Sequence, residues 1–173
     1  VGNESTYAPD IQPQDLAVSD ISRGPNITAS ASSNAFSSED RPNPPAPTFD
    51  TDSYYEFTVT ANSGFDFDVS SIEFDYRSSS TGPTEWQIRN SIDGYTSSIG
   101  GVITADGNWY RNQNVNLSIT GESSITFRIY AFTAGSDLGT WALDNIEIFG
   151  TTTDIQPPSF TTTYPHYNSV AVN

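Results

Sequence analysis

The sequence predicts an all-β domain, an antiparallel two-sheet sandwich with extended ends. Segment after segment alternates apolar and polar residues with a period of two. Turn signals recur at intervals of roughly 10 to 15 residues, and no helical pattern runs longer than a turn. Together these segments amount to roughly eight to ten strands, and spacing of that kind indicates an all-β sandwich or barrel.

Residues 1–14, VGNESTYAPDIQPQ, are polar with two prolines and read as an arm or linker. A first strand follows at 15–22, with Leu16, Val18 and Asp20 on one face, and a second short one runs from Ile27 to Ala31 after the Arg23-Gly24-Pro25 turn. Residues 32–48 form a loop whose prolines exclude ladder hydrogen bonding. Tyr54 to Ala61 then alternates cleanly, with Tyr55, Phe57, Val59 and Ala61 inward and Tyr54, Glu56, Thr58 and Thr60 outward. After the Asn62-Ser63-Gly64 turn, Phe65, Phe67 and Val69 share one face, and Ile72, Phe74 and Tyr76 alternate again beyond a Ser-Ser step. Thr84 to Ile92 places Trp86, Ile88 and Asn90 on one face and leads into Asp93-Gly94, the strongest hairpin signal in the chain. Strands at 99–104 and 108–119 flank an Ala105-Asp106-Gly107 turn.

The last two strands organise the rest. In Ser124 to Ala131, Ile125, Phe127, Ile129 and Ala131 alternate with Thr126, Arg128 and Tyr130, and Trp141 to Phe149 ends at Gly150 with Asp144 and Asn145 in mid-run. The strand at 141–149 is expected to pair with that at 124–132 or with the first strand. The expected domain spans residues 15–150, with an N-terminal arm at 1–14 and a C-terminal extended segment at 151–173.

Composition narrows the function. The 173 residues contain no Cys, Met or Lys and carry a net charge of −15 with six arginines. Disulfides and thiol chemistry are excluded, and nucleic acid and anionic lipid are excluded as partners. No run of 18 apolar residues is present, so no helix is expected to span a membrane. The chain begins at Val1, which reads as a processed form. Asn3, Asn26 and Asn116 open Asn-X-Ser/Thr triplets, meaningful only in a host that glycosylates secreted proteins.

YYEFTVTANSGFDFDVSSIEFDYRSSSTGPTEWQIRNSIDGY, followed by SITFRIYAF and TWALDNIEIFG, resembles the jelly-roll domains of secreted bacterial surface proteins. The hairpin WQIRNSIDGYTSSIGG and the terminal ALDNIEI are similar to those of galactose-binding-like β-sandwiches, which include discoidin domains and many carbohydrate-binding modules. The resemblance implies a jelly roll and a secreted or cell-surface location. It also implies a structural calcium between first and last strands, carried over to Asp144 with Asp20 or Asp50 as its partner. A first-strand acidic motif and a fixed aromatic pair on the binding face, both usual in that family, are missing here.

Catalysis finds little material. The single His166 lies in the C-terminal tail, and no Lys or His cluster exists. Asp50/Asp52 and Asp66/Asp68 each lie roughly 7 Å apart on one side of a strand, a separation compatible with glycoside hydrolysis but ordinary on the wet face of a sandwich. The chain therefore reads as a non-enzyme. Trp86, Trp109, Tyr110, Tyr54, Tyr95 and Tyr130 offer rings for stacking on a sugar. Trp109 and Tyr110, adjacent after a turn and hence on opposite sides, are the leading surface candidates, with Tyr54.

Asp10-Ile11-Gln12-Pro13 recurs as Asp154-Ile155-Gln156-Pro157 at the two boundaries of the domain. The tail beyond holds Phe160, Tyr164, Val170 and Val172 in strand-like steps. Two functions follow. The first is a structural or adhesive surface protein whose tail adds a strand to a neighbouring copy and builds a filament. The second is a carbohydrate-binding module, with or without calcium. The repeat and the tail favour the first, and the sequence reading leans to it.

Overall fold

The computed structural model describes residues 2–32, 34–39 and 49–157, which form two antiparallel sheets. The strands are β1 (Thr6–Tyr7), β2 (Leu16–Val18), β3 (Ile21–Arg23), β4 (Thr28–Ala29), β5 (Phe36–Glu39) and β6 (Tyr54–Ala61). They continue with β7 (Phe65–Ser78), β8 (Pro83–Asn90), β9 (Ile99–Val102), β10 (Trp109–Glu122), β11 (Ser124–Ala134) and β12 (Trp141–Asp154). One sheet runs β1-β3-β6-β11-β8-β9, with β2 beside β3 along β6, and the other runs β10-β7-β12-β5-β4. The expected jelly-roll sandwich is the fold.

Alternation explains the core. Tyr55, Phe57 and Val59 face Ile125, Phe127 and Ile129 along the β6–β11 ladder and are buried, as are Phe67, Val69, Ile72, Phe74 and Tyr76 from the opposing sheet. Burying each of these side chains contributes about 1.5–3 kcal/mol. The inward set of β7 changes parity between Val69 and Ile72. Its partner β12 steps from Phe149, opposite Ser71, to Gly150, opposite Val69, so Ser70 is the extra residue of a bulge. The Ser-Ser step is what lets a single 14-residue strand keep both apolar runs in the core.

Several expectations need correction, among them the loop at 32–48, within which Phe36–Glu39 forms β5. β12 does not pair with β11 or the first strand; it pairs with β7 along its length and with β5 at Trp141–Leu143, while β11 pairs with β6 and β8. Consecutive strands here belong to opposite sheets, and the Gly-rich loop crosses the sandwich rather than closing a hairpin. Asp93-Gly94 is not a two-residue turn. Asn90 caps a short 3-10 turn at Ser91–Asp93, and Gly94 and Tyr95 follow with left-handed φ of 68° and 63° before β9 begins at Ile99. The ladder of β12 runs to Asp154, beyond the expected boundary at 150, because Thr151–Thr153 are β-formers paired to Asp66–Asp68. The arm likewise contributes β1, so it is part of a sheet.

The two DIQP copies meet at one end of the sandwich, not at opposite ones. The Asn62 N–H and side-chain amide donate to Asp15 O and Gln14 O just after the first copy, and Ile155 N–H and Gln156 Nε2 of the second donate to Gly64 O and Ser63 O. Residues 14–15 and 155–156, at the two repeats, thus anchor on the β6–β7 turn.

Candidate functional site

The wet face of a sandwich sheet ordinarily carries short polar side chains. The outer face of the β6–β11–β8 sheet instead carries rings and guanidiniums. Cross-strand register builds it: Tyr130 on β11 stands between Tyr54 on β6 and Gln87 on β8, and Arg128 stands between Glu56 and Arg89. Phe132 lies one step further, opposite Glu85.

Phe49, arriving from the loop before β6, packs over this row at 5.0 Å from the Tyr130 ring and 5.5 Å from Phe132. Tyr54 meets Tyr130 edge-on at 5.7 Å. The Arg89 guanidinium lies 4.3 Å from the Phe49 centroid and donates to the Tyr95 carbonyl at 2.8 Å. Arg128 is held between two rings, 4.1 Å from both Tyr54 and Tyr95, and its Nε donates to Glu56 Oε2 at 2.6 Å. Tyr130 is 2 % exposed although it points away from the core, because this second layer covers it. Cation–π contacts of this kind fix rings and cations in place before any ligand arrives.

The electrostatics follow from the burial. Burial pushes the Tyr130 and Tyr54 hydroxyls above the usual tyrosine range. Burial alone would lower Arg128, but Glu56 and the Tyr130 hydroxyl outweigh it and hold the guanidinium charged.

Tyr95 reaches the site at the expense of backbone strain, since a bulky residue rarely adopts φ of 63°. Its loop is tied down by Tyr95 N–H donating to Asn90 O and by Asp93, whose oxygens accept from the Thr96 and Ser97 N–H groups. Those bonds, with the Ser97 side chain foremost, bring the Asp93 carboxyl down to about 2.

The stacking candidates separate. Tyr54, Tyr95 and Tyr130 come together on this face. Trp86 is core, in edge contact with Phe74. Tyr110 stacks on Tyr76 at 5.2 Å, and its hydroxyl donates to Asp106. Trp109 lies on the opposite sheet, 5.4 Å from Arg77 and 4.8 Å from Arg111. Phe49, Glu56, Arg89, Arg128 and Phe132 were missed as site residues; an aromatic or an arginine at an outward position of an alternating strand was the available signal.

The three expected calcium ligands are not brought together, and among the described residues no group of three or more His, Asp or Glu side chains is placed to hold a metal ion. Asp50 accepts from Asn26, Ser53 and the Asp52 N–H, and Asp20 accepts from Thr6. Asp144 sits at a β12 bulge beside Asn145, accepting its N–H, with Arg111 at 3.9 Å. The neighbouring carboxylate, Asp75, is the organising group there. It is buried, yet accepts from Arg111 Nη1 at 2.6 Å, Asn112 N–H at 2.8 Å and Asn145 Nδ2 at 2.8 Å. Burial works to raise it, and these donors hold it below the usual carboxylate range.

A cleft of about 1090 Å³ lies away from the ring face, between the arm and β12, with Tyr7, Ile11, Leu16, Ile146 and Ile148 in its walls. Among the described residues, β12 has no strand partner on that side beyond Leu143. Phe160, Tyr164, Val170, Val172 and His166 lie outside the described residues.

No protein-family model matches the chain, and no curated protein matches it. Among solved structures, it is similar to a family 29 carbohydrate-binding module complexed with mannohexaose, at 14 % identity and TM-score 0.40, covering 84 % of this chain and 87 % of that one. TmCBM61 in complex with β-1,4-galactotriose matches at 12 % identity and TM-score 0.40, covering 79 % and 88 %. The secreted serine protease VesC from Vibrio cholerae matches at 11 % identity and TM-score 0.38, covering 83 % of this chain and 28 % of that one.

Proposed function

We infer that the domain is a non-catalytic carbohydrate-binding module of an extracellular protein, and that a glycan lies across the outer face of β6, β11 and β8. The observation that carries this is the preorganised layer of Tyr54, Phe49 and Tyr95 around Arg128 and Arg89. Flat rings suit the apolar faces of sugar rings, and guanidiniums, Glu56 and Gln87 suit hydroxyls. The face has no chemistry of its own: Glu56 is tied to Arg128, and of the Asp pairs, Asp50 accepts from Ser53 Oγ and Asp68 on the opposite sheet from the Gly121 N–H of β10. Titrating a panel of neutral and acidic polysaccharides by affinity electrophoresis tests the reading. Retardation abolished by Tyr54→Ala supports it, and no retardation by any polymer ends it.

A second reading, assembly through a donated tail strand, is favoured by the stretch of β12 beside the cleft that has no strand partner on that side among the described residues. An open edge with apolar walls accepts an added strand. Truncation after Pro157 separates the two: loss of oligomers with glycan binding intact supports assembly, and a monomer before and after truncation refutes it.

A further inference from the structure

We propose that the saccharide taken by this face is acidic, with a uronate carboxylate paired to Arg89; this rests on the carbohydrate reading above. Arg89 and Arg128 are directly opposite each other across the β8–β11 ladder. Like charges in that position repel unless something neutralises them. Glu56 neutralises one, bonding Arg128 at 2.6 Å, and among the described residues Arg89 has no carboxylate within ion-pairing distance.

The sequence makes this arrangement more telling. The chain holds 21 Asp and Glu against six Arg, so a partner for a second guanidinium was available many times over. Arg89 is instead fixed by the Phe49 ring on one side and the Tyr95 carbonyl on the other. Turning the Gln87 amide so that its nitrogen faces Ser98 lets its oxygen accept from Arg89 Nε and Nη2, which holds the guanidinium further. This leaves a rigid guanidinium beside rings that fit a sugar. With Nε and one N–H on each of Nη1 and Nη2 engaged by Gln87 and Tyr95, one N–H on each Nη remains for a carboxylate.

The other charges nearby do not cancel it. Glu85 lies on the same strand about 13 Å away, exposed and accepting from Thr133. Asp52 is exposed beyond Tyr54, and Asp93 already accepts from Thr96 and Ser97. At physiological salt the screening length is about 8 Å, so the overall −15 acts weakly at the centre of the face while contact charges act fully.

The test is calorimetric titration with polygalacturonate and with the same polymer after carboxyl reduction. The expected result is preference for the acid form by about ten-fold or more, weakening with added salt. Arg89→Gln should erase that preference, so that the variant binds the acid and the reduced polymer alike. Glu56→Gln, which adds a net positive charge to the face, should tighten the acid form, a gain that a purely structural role for these residues does not give. Folding of each variant is checked by its thermal melt. Equal binding of both polymers, or acid preference surviving in Arg89→Gln, overturns the acidic assignment while the carbohydrate reading stands. No binding of either polymer, with a neutral polysaccharide of the panel bound, overturns it in the same way. No binding by the whole panel overturns both.

Discussion

Replacing Asp75 by Ala should be among the most destabilising single changes in the domain. The carboxylate sits on β7, between β10 and β12, and bonds a bulge on each flanking strand, at Asn112 of β10 and Asn145 of β12. Both asparagines hold left-handed φ, 56° and 47°, conformations that the ladder alone would not sustain. Removing the acceptor leaves the Asn112 N–H and the Asn145 amide without it. Each bond to a charged group is worth about 1.5–3 kcal/mol. Arg111 contributes less, because its side chain is 52 % exposed and returns readily to water. Relief from burying the charge offsets part of the loss, so the expected cost is about 2–4 kcal/mol, or a melting point lower by about 5–15 °C. Urea denaturation of wild type, Asp75→Ala and Arg111→Ala measures it, with Arg111→Ala expected to cost under about 1 kcal/mol. A loss below about 0.5 kcal/mol for Asp75→Ala, or an equal loss for Arg111→Ala, would refute the assignment of Asp75 as the organising group. The pH dependence agrees in sign. A carboxyl lowered in the folded state stabilises above its ordinary value of 3.8 and loses that contribution as pH falls through the folded value, so part of wild type's acid sensitivity should vanish in Asp75→Ala.

Other perturbations give separate readouts. Acidification from pH 3.8 towards about 2 should protonate Asp93 and release the Tyr95 loop, seen as a change in tyrosine fluorescence that Asp93→Asn shows already at neutral pH. Tyr55→Phe removes a buried hydroxyl that bonds Ser38 Oγ and the Trp141 carbonyl across the two sheets, and should cost about 1–3 kcal/mol in urea denaturation. Melting with and without chelator should coincide, since Asp20, Asp50 and Asp144 are each engaged by separate donors; a higher midpoint with calcium would contradict that placement. Asn112→Gly should be nearly neutral and Asn112→Val destabilising, because the position requires left-handed backbone.

Alternation made the core legible before any coordinates. Tyr55, Phe57 and Val59, or Ile125, Phe127 and Ile129, can only face inward together. Even the Ser-Ser step was visible as a parity change, although its meaning as a bulge needed the partner strand. Pairing was not legible. The sequence places 124–134 and 141–154 side by side, yet they lie in different sheets, because nothing local distinguishes a crossing loop from a hairpin loop. The Asp93-Gly94 signal misled for a related reason: Asn90 and Asp93 capture the backbone and stretch a two-residue turn into a longer loop. The ring face hid for the same cause as the pairing. Glu56, Arg89 and Arg128 come from strands far apart in sequence, Phe49 comes from the loop before β6, and only the fold brings each guanidinium over a ring. Trp109 and Tyr110 drew attention by adjacency, which says nothing about where β10 lies.

The location of glycan binding is what matters next. Affinity electrophoresis should compare wild type, Tyr54→Ala, Arg128→Gln and Trp109→Ala on the same retarding polysaccharide. The ring face predicts that Tyr54→Ala and Arg128→Gln each lose binding by about ten-fold or more, while Trp109→Ala, on the opposite sheet, migrates as wild type. Retardation lost in Trp109→Ala and kept in the other two would place the glycan on the wrong face and contradict the proposal.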